Sequence, residues 1–157
     1  MQKNPFKQID LSYLNSIADN DQEIVKELIE IFIDQLPEFT IGLGEAFKKQ
    51  DWATIASLAH KAKSSVVSMG MTDLGNVELK NLELLAKHRR IKELTDKQLP
   101  EDNKELTNLQ SSIKSYSAEK QNWVHQNAND ETMKEIIDKF VMTCELALEE
   151  LNNAFGT

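Results

Sequence analysis

His60 lies in the run Ala56-Ser57-Leu58-Ala59-His60-Lys61-Ala62-Lys63-Ser64-Ser65-Val66-Val67-Ser68-Met69-Gly70, whose residue types and spacing could do chemistry. An imidazole offers a nitrogen that can serve as base or nucleophile near neutral pH. Projected as a helix at about 100° per residue, the run gathers Ile55, Leu58, Ala62, Ser65 and Met69 within about 40° of the pole opposite His60. The ring is therefore expected to face solvent. Its own stripe, within about 60° on either side, holds Ala56, Lys63, Ser64, Val67 and Met71. That stripe carries no acid, and Ala56, Ser64, Val67 and Met71 are small or apolar enough for another protein to approach, joined by residues of the neighbouring helix before Pro37. Lys63, one turn beyond the ring, can place a point charge beside an anion arriving there. Lys61 lies about 100° round the helix and is the weaker candidate.

The elements that must position this stripe all have helical periods. A short helix is expected at Leu11 to Ala18 behind Asp10, followed by a turn at Asp19-Asn20-Asp21. Ile24, Leu28, Ile31, Phe32 and Leu36 keep the helical period until Pro37, which should break or kink the run. The period then resumes through Phe39, Leu43, Ala46 and Phe47. Asp51 should cap the His60 helix, and Gly70 should end it or allow close packing. Leu74, Val77, Leu82, Leu85 and Ala86 predict a fourth helix. Met133, Ile136, Ile137, Phe140, Val141, Cys144, Leu148 and Leu151 predict a last one, starting near Asp130. Residues 89–129 read as an inserted helical excursion, with a polar loop at Thr95 to Asn103 and a weaker stripe over Glu105 to Gln126. The expected fold is all-α. It is an antiparallel four-helix bundle with a short N-terminal helix and an extra helical excursion before the last helix. It forms one domain over 1–157, with bundle core at about 9–88 and 130–154.

Composition limits what such a bundle could do. At 157 residues the chain suits one domain with its own core. Five glycines and three prolines favour helix over sheet. A net charge of −8 argues against nucleic acid and against an anionic membrane surface. The opening MQKNPFKQID has no apolar run, and no stretch has the length of a membrane span, so a soluble cytoplasmic protein is expected. A single cysteine, Cys144, excludes an internal disulfide and reads as a core thiol. His88, in a basic helix end, and His125, in the excursion, read as separate surface residues. No metal site is expected, because the histidines lack partners three or four residues away.

The pattern Asp51-Trp52 … Ala59-His60-x-x-Lys63-Ser64-Ser65 … Gly70 … Leu74 resembles the histidine-containing phosphotransfer (HPt) domain of multistep two-component phosphorelays. Ile9-Asp10-Leu11-Ser12-Tyr13-Leu14 and the Leu28-Ile29-Glu30-Ile31-Phe32 … Leu36-Pro37 run resemble that family's opening. The likeness covers roughly residues 9–88, and the Asp130 to Leu151 helix would close the bundle. The family usually carries glycine directly after the lysine, where this chain has Ser64, still a small residue. It commonly has a larger aliphatic before the lysine, where this chain has Ala62.

The resemblance implies a phosphocarrier that is not itself an enzyme. His60 would accept a phosphoryl group from a receiver-domain aspartate and pass it to another receiver. Lys63, and more weakly Lys61, would neutralise the phosphoryl oxygens, and Gly70 would serve helix packing near the site. Response-regulator receivers and a hybrid histidine kinase are the implied partners. No cofactor is implied, any Mg²⁺ belonging to the receiver. Two other functions remain compatible with the residues: a helical scaffold that makes no use of His60, and the phosphorylated domain of a split histidine kinase. The chain has no glycine-rich nucleotide-binding box of its own.

Overall fold

The computed structural model describes residues 4–156; residues 1–3 and 157, the ends of the expected domain, lie outside the described residues. Among the described residues the regular structure is helical throughout. Four helices enclose the core: α2 (Gln22–Lys48), α3 (Trp52–Ser68), α4 (Lys80–Lys97) and α7 (Asp130–Phe155). The short α1 (Ser12–Ile17) precedes them, and α5 (Asn103–Lys114) and α6 (Ala118–Asn127) sit between α4 and α7. The α3 helix packs against both α2 and α4, while α7 closes the bundle against α2 and α4.

Side-chain caps start α2, α3 and α7. Asp10, expected to cap α1, accepts from the Ser12 backbone N–H at 2.9 Å, but the cap position is Leu11, which has no side-chain cap. Asp21 accepts from Glu23 N–H, Asp51 from Thr54 N–H, and Asn129 from Thr132 N–H, each filling a donor that the first helical turn leaves unpaired. Two hydrogen bonds from Thr54 hold the Asp51 carboxyl below its ordinary pKa. The last helix carries Asp130 and Glu131 in its first turn, matching the positive end of the helix dipole.

The structure corrects several expectations. Pro37 does not interrupt α2, which runs from Gln22 to Lys48 as one helix. Pro37 is exposed, and Phe32, Leu36, Phe39 and Leu43 bury the same face on both sides of it. One missing N–H is a local cost that this continuous packing offsets. On that helix Val25 and Ile29 are buried, while Ile24 and Ile31 are exposed, so the apolar face is turned by one residue.

The fourth helix opens with a π-helical turn at Leu74–Leu79, which leaves Val77 exposed. It then runs on to Lys97. The fourth helix therefore passes the boundary expected at Arg89, and the loop expected from Thr95 begins with helix. Pro100–Asp102 forms a 3-10 turn, and Ser115–Ser117 separates α5 from α6. Arg90 fastens α5 to α4 by donating to both Glu105 oxygens at 2.8 and 2.9 Å. His88 and His125 are not separate, since their facing nitrogens lie 3.4 Å apart across α4 and α6. Cys144 is buried, and burial pushes its thiol up to about 12.

Candidate functional site

The His60 side chain is 70% exposed, as the helical projection predicts. The ring is not isolated, however. Its Nδ1 lies 3.2 and 3.3 Å from the two carboxylate oxygens of Glu83 on α4, a residue only 3% exposed. Glu83 also receives Lys87 Nζ at 2.9 Å, one turn along the same helix. Burial pushes the Glu83 carboxyl upward. The hydrogen bond and charge of Lys87, aided by His60 and Lys80, outweigh it and hold the group below its ordinary pKa. The result is a buried carboxylate behind an exposed imidazole, with Nε2 left as the ring nitrogen on the far side from Glu83.

Close approach of two helices makes this possible. Gly75, in the π-helical turn, faces α3 so tightly that a Cβ there would lie 2.5 Å from Val67 Cγ2 and 2.9 Å from the Lys63 carbonyl oxygen. Only a residue without a side chain brings the chain leading into α4 this near to the His60 helix. Gly70 does a different job. Its φ of +83° ends α3, and a Cβ there would fall 2.5 Å from Asp10 Cβ. It both terminates the helix and lets the N-terminal segment pass, where Asp10 N–H donates to the Met69 carbonyl at 2.9 Å.

The remaining expected site residues divide. Lys63 is half-buried and, among the described residues, makes no ion pair. Lys61 is committed to Glu38 on α2 at 2.8 Å, which turns its charge away from the ring. Ser64 is exposed and Val67 half-buried, and both line a depression of about 540 Å³ with Asp10, Tyr13, Ser68 and Thr72. Ala56 and Met71 do not lie on an open stripe, being 9% and 5% exposed. Because α3 is flanked by both α2 and α4, its covered arc is wide, and a methyl group stays under it where an imidazole reaches past. Met71 lies beyond the helix end. The chain reverses at Gly70, and Met71 N–H donates back to the Val66 carbonyl at 3.0 Å, tucking the side chain into the core.

The open surface beside Ser64 comes from other elements. Tyr13 and Ile17 of α1 and Ile31 of α2 are 53%, 54% and 54% exposed. With Gln35, Ser65 and Ser68 they line a second, adjoining depression of about 200 Å³. The helical projection of α3 alone could not reveal Glu83, Lys87 or this patch. One signal was present: Glu83 is an acid inside the apolar run Leu82 to Ala86, four residues before a lysine. Among the described residues no three His, Cys, Asp or Glu side chains converge to hold a metal, and no helix is long and apolar enough to cross a membrane.

Residues 27–114 match the family model described as the Hpt domain. No curated protein and no solved structure matches the chain.

Proposed function

The chain belongs to the Hpt domain family, whose members serve phosphotransfer in two-component phosphorelays, and from this we propose that it carries a phosphoryl group on His60 Nε2. The group comes from a receiver-domain aspartate and goes to a second receiver, with a hybrid histidine kinase upstream. The observation that carries this reading is the exposed imidazole backed at Nδ1 by the ionised Glu83.

A carboxylate can only accept a hydrogen bond, so it favours the tautomer with the proton on Nδ1 and a lone pair on Nε2. That lone pair attacks the phosphorus of the aspartyl phosphate. The P–O bond to the aspartate breaks, and its electron pair leaves with the carboxylate. The ring keeps its Nδ1 proton and becomes cationic, a charge that Glu83 compensates at short range. In the onward step the N–P bond breaks, the pair returns to Nε2, and the phosphoryl group passes to the next aspartate. Positioning and charge neutralisation dominate such transfers, and Lys63, one turn on, supplies the cation for the equatorial oxygens. Lys61, paired with Glu38, has the lesser part. Mg²⁺ belongs to the receiver, and the exchange takes place in the cytoplasm.

The receiver docks over Ser64 and Val67 and the neighbouring Tyr13, Ile17 and Ile31. This shifts the landing surface toward α1 and α2 and away from the buried Ala56 and Met71. Incubation with a phosphorylated receiver tests the reading. Wild type should take up an acid-labile, base-stable label that His60→Gln abolishes without loss of helix content. Label retained in His60→Gln would move the site, and an unlabelled wild type would favour the scaffold.

A further inference from the structure

The carboxylate behind His60 is itself held by a chain of contacts that leads out of the four-helix core. Lys87 Nζ lies 2.9 Å from Glu83 Oε2 and also donates to Ser112 Oγ at 3.1 Å. The Lys87 side chain is only 21% exposed. Ser112 belongs to α5, a helix with no fully buried residue that the Arg90–Glu105 contacts pin to α4. The charged groups acting on Glu83 are His60 from α3, and Lys87 and Lys80 from α4. Lys80 acts only through its charge and stands 5.0 Å from the Tyr116 ring, leaving Lys87 as the cation in contact. The α5 side contributes a hydroxyl, not a charge.

A carboxyl group at this depth without a contacting cation favours its neutral form. Neutral Glu83 would carry an O–H that donates to Nδ1, and the neutral imidazole would then hold its own proton on Nε2. That tautomer has no lone pair at the exposed nitrogen and cannot attack phosphorus. We propose that Lys87, seated by Ser112 of α5, is a positioning residue that keeps Glu83 a carboxylate and so keeps the His60 proton on Nδ1. α5 thereby becomes part of the site. The effect on transfer rests on the proposed role of His60; the effect on the tautomer does not.

The test is ring ¹⁵N NMR of His60 in the full chain against pH, beside the pH profile of label uptake from a phosphorylated receiver. Wild type and Lys87→Arg should show the Nδ1–H tautomer. Lys87→Met should move toward Nε2–H at neutral pH and lose roughly tenfold in uptake, recovering as rising pH ionises Glu83. Ser112→Ala, which keeps the lysine, should shift part of the way and serves if Lys87→Met fails to fold. Unmoved ring shifts and an unmoved pH profile in folded Lys87→Met or Ser112→Ala would overturn the proposal. A tautomer shift in Lys87→Met, beside a wild type that takes no label, would sustain the positioning role while sinking the carrier reading.

Discussion

His60 and Glu83 meet across 23 residues of sequence, Nδ1 standing 3.2 Å from Oε2, with the ring 70% exposed and the acid 3% exposed. In the proposed transfer the acid sets the proton position of a ring that lies mostly outside the core. Glu83→Gln should slow phosphoryl uptake and leave Lys87 without its counter-charge, costing about 1–3 kcal/mol at neutral pH by urea unfolding. The sign of its pH dependence follows from the lowered folded-state pKa of Glu83. The contribution is full above the ordinary glutamate range and lost as pH falls through the folded value. The gap between wild type and variant should therefore be flat at neutral pH and narrow below about pH 4.3. A gap that widens in acid would contradict this.

Gly75 controls how near the chain leading into α4 can come to the His60 helix. A methyl group there must displace Val67 or the Lys63 carbonyl. Gly75→Ala should cost about 1–3 kcal/mol and slow phosphoryl uptake by easing Glu83 away from the ring. Chemical denaturation and a labelling time course read the two effects separately, and wild-type values in both would show the contact to be soft.

Lys63 makes no ion pair among the described residues, so its removal separates charge from stability. Lys63→Ala should change unfolding free energy by less than about 0.5 kcal/mol while slowing transfer or shortening the life of the phosphorylated state. Equal rates in both directions would make it an ordinary solvated lysine.

Ser64 is exposed on the lip of the depression shared with Tyr13 and Val67. Ser64→Glu adds volume and negative charge beside the phosphoryl group of the proposed transfer, and like charges across an interface can cost several kcal/mol. Calorimetric titration should show receiver binding lost while circular dichroism and melting stay near wild type. Unaltered affinity would place the docking surface elsewhere.

The helical projection made the exposure of His60 legible because α3 alone sets it, and the Asp51 cap lies three residues from the N–H it satisfies. What depends on a second helix was hidden. Ala56 is covered because α4 as well as α2 flanks α3, and Glu83 faces His60 through a register that includes a π-helical turn. The burial of Met71 required knowing that the chain reverses at Gly70. Of the break or kink expected at Pro37, the break does not occur, because packing continues on both sides of it. The proposed docking patch draws Ile31 from the helix before Pro37, where partner contacts were expected, and Tyr13 and Ile17 from the short α1, which was read only as scaffolding.

Cys144 has a practical consequence for watching this chemistry. Its sulfur is sealed in the core, and its thiol is pushed up to about 12, so almost none is thiolate at neutral pH. The folded protein is therefore chemically silent toward maleimides and disulfide reagents. A single cysteine introduced at exposed Ile17 would be the one reactive handle, with no need to remove the native residue. A fluorophore attached there would sit on the proposed docking patch and report each receiver encounter in real time.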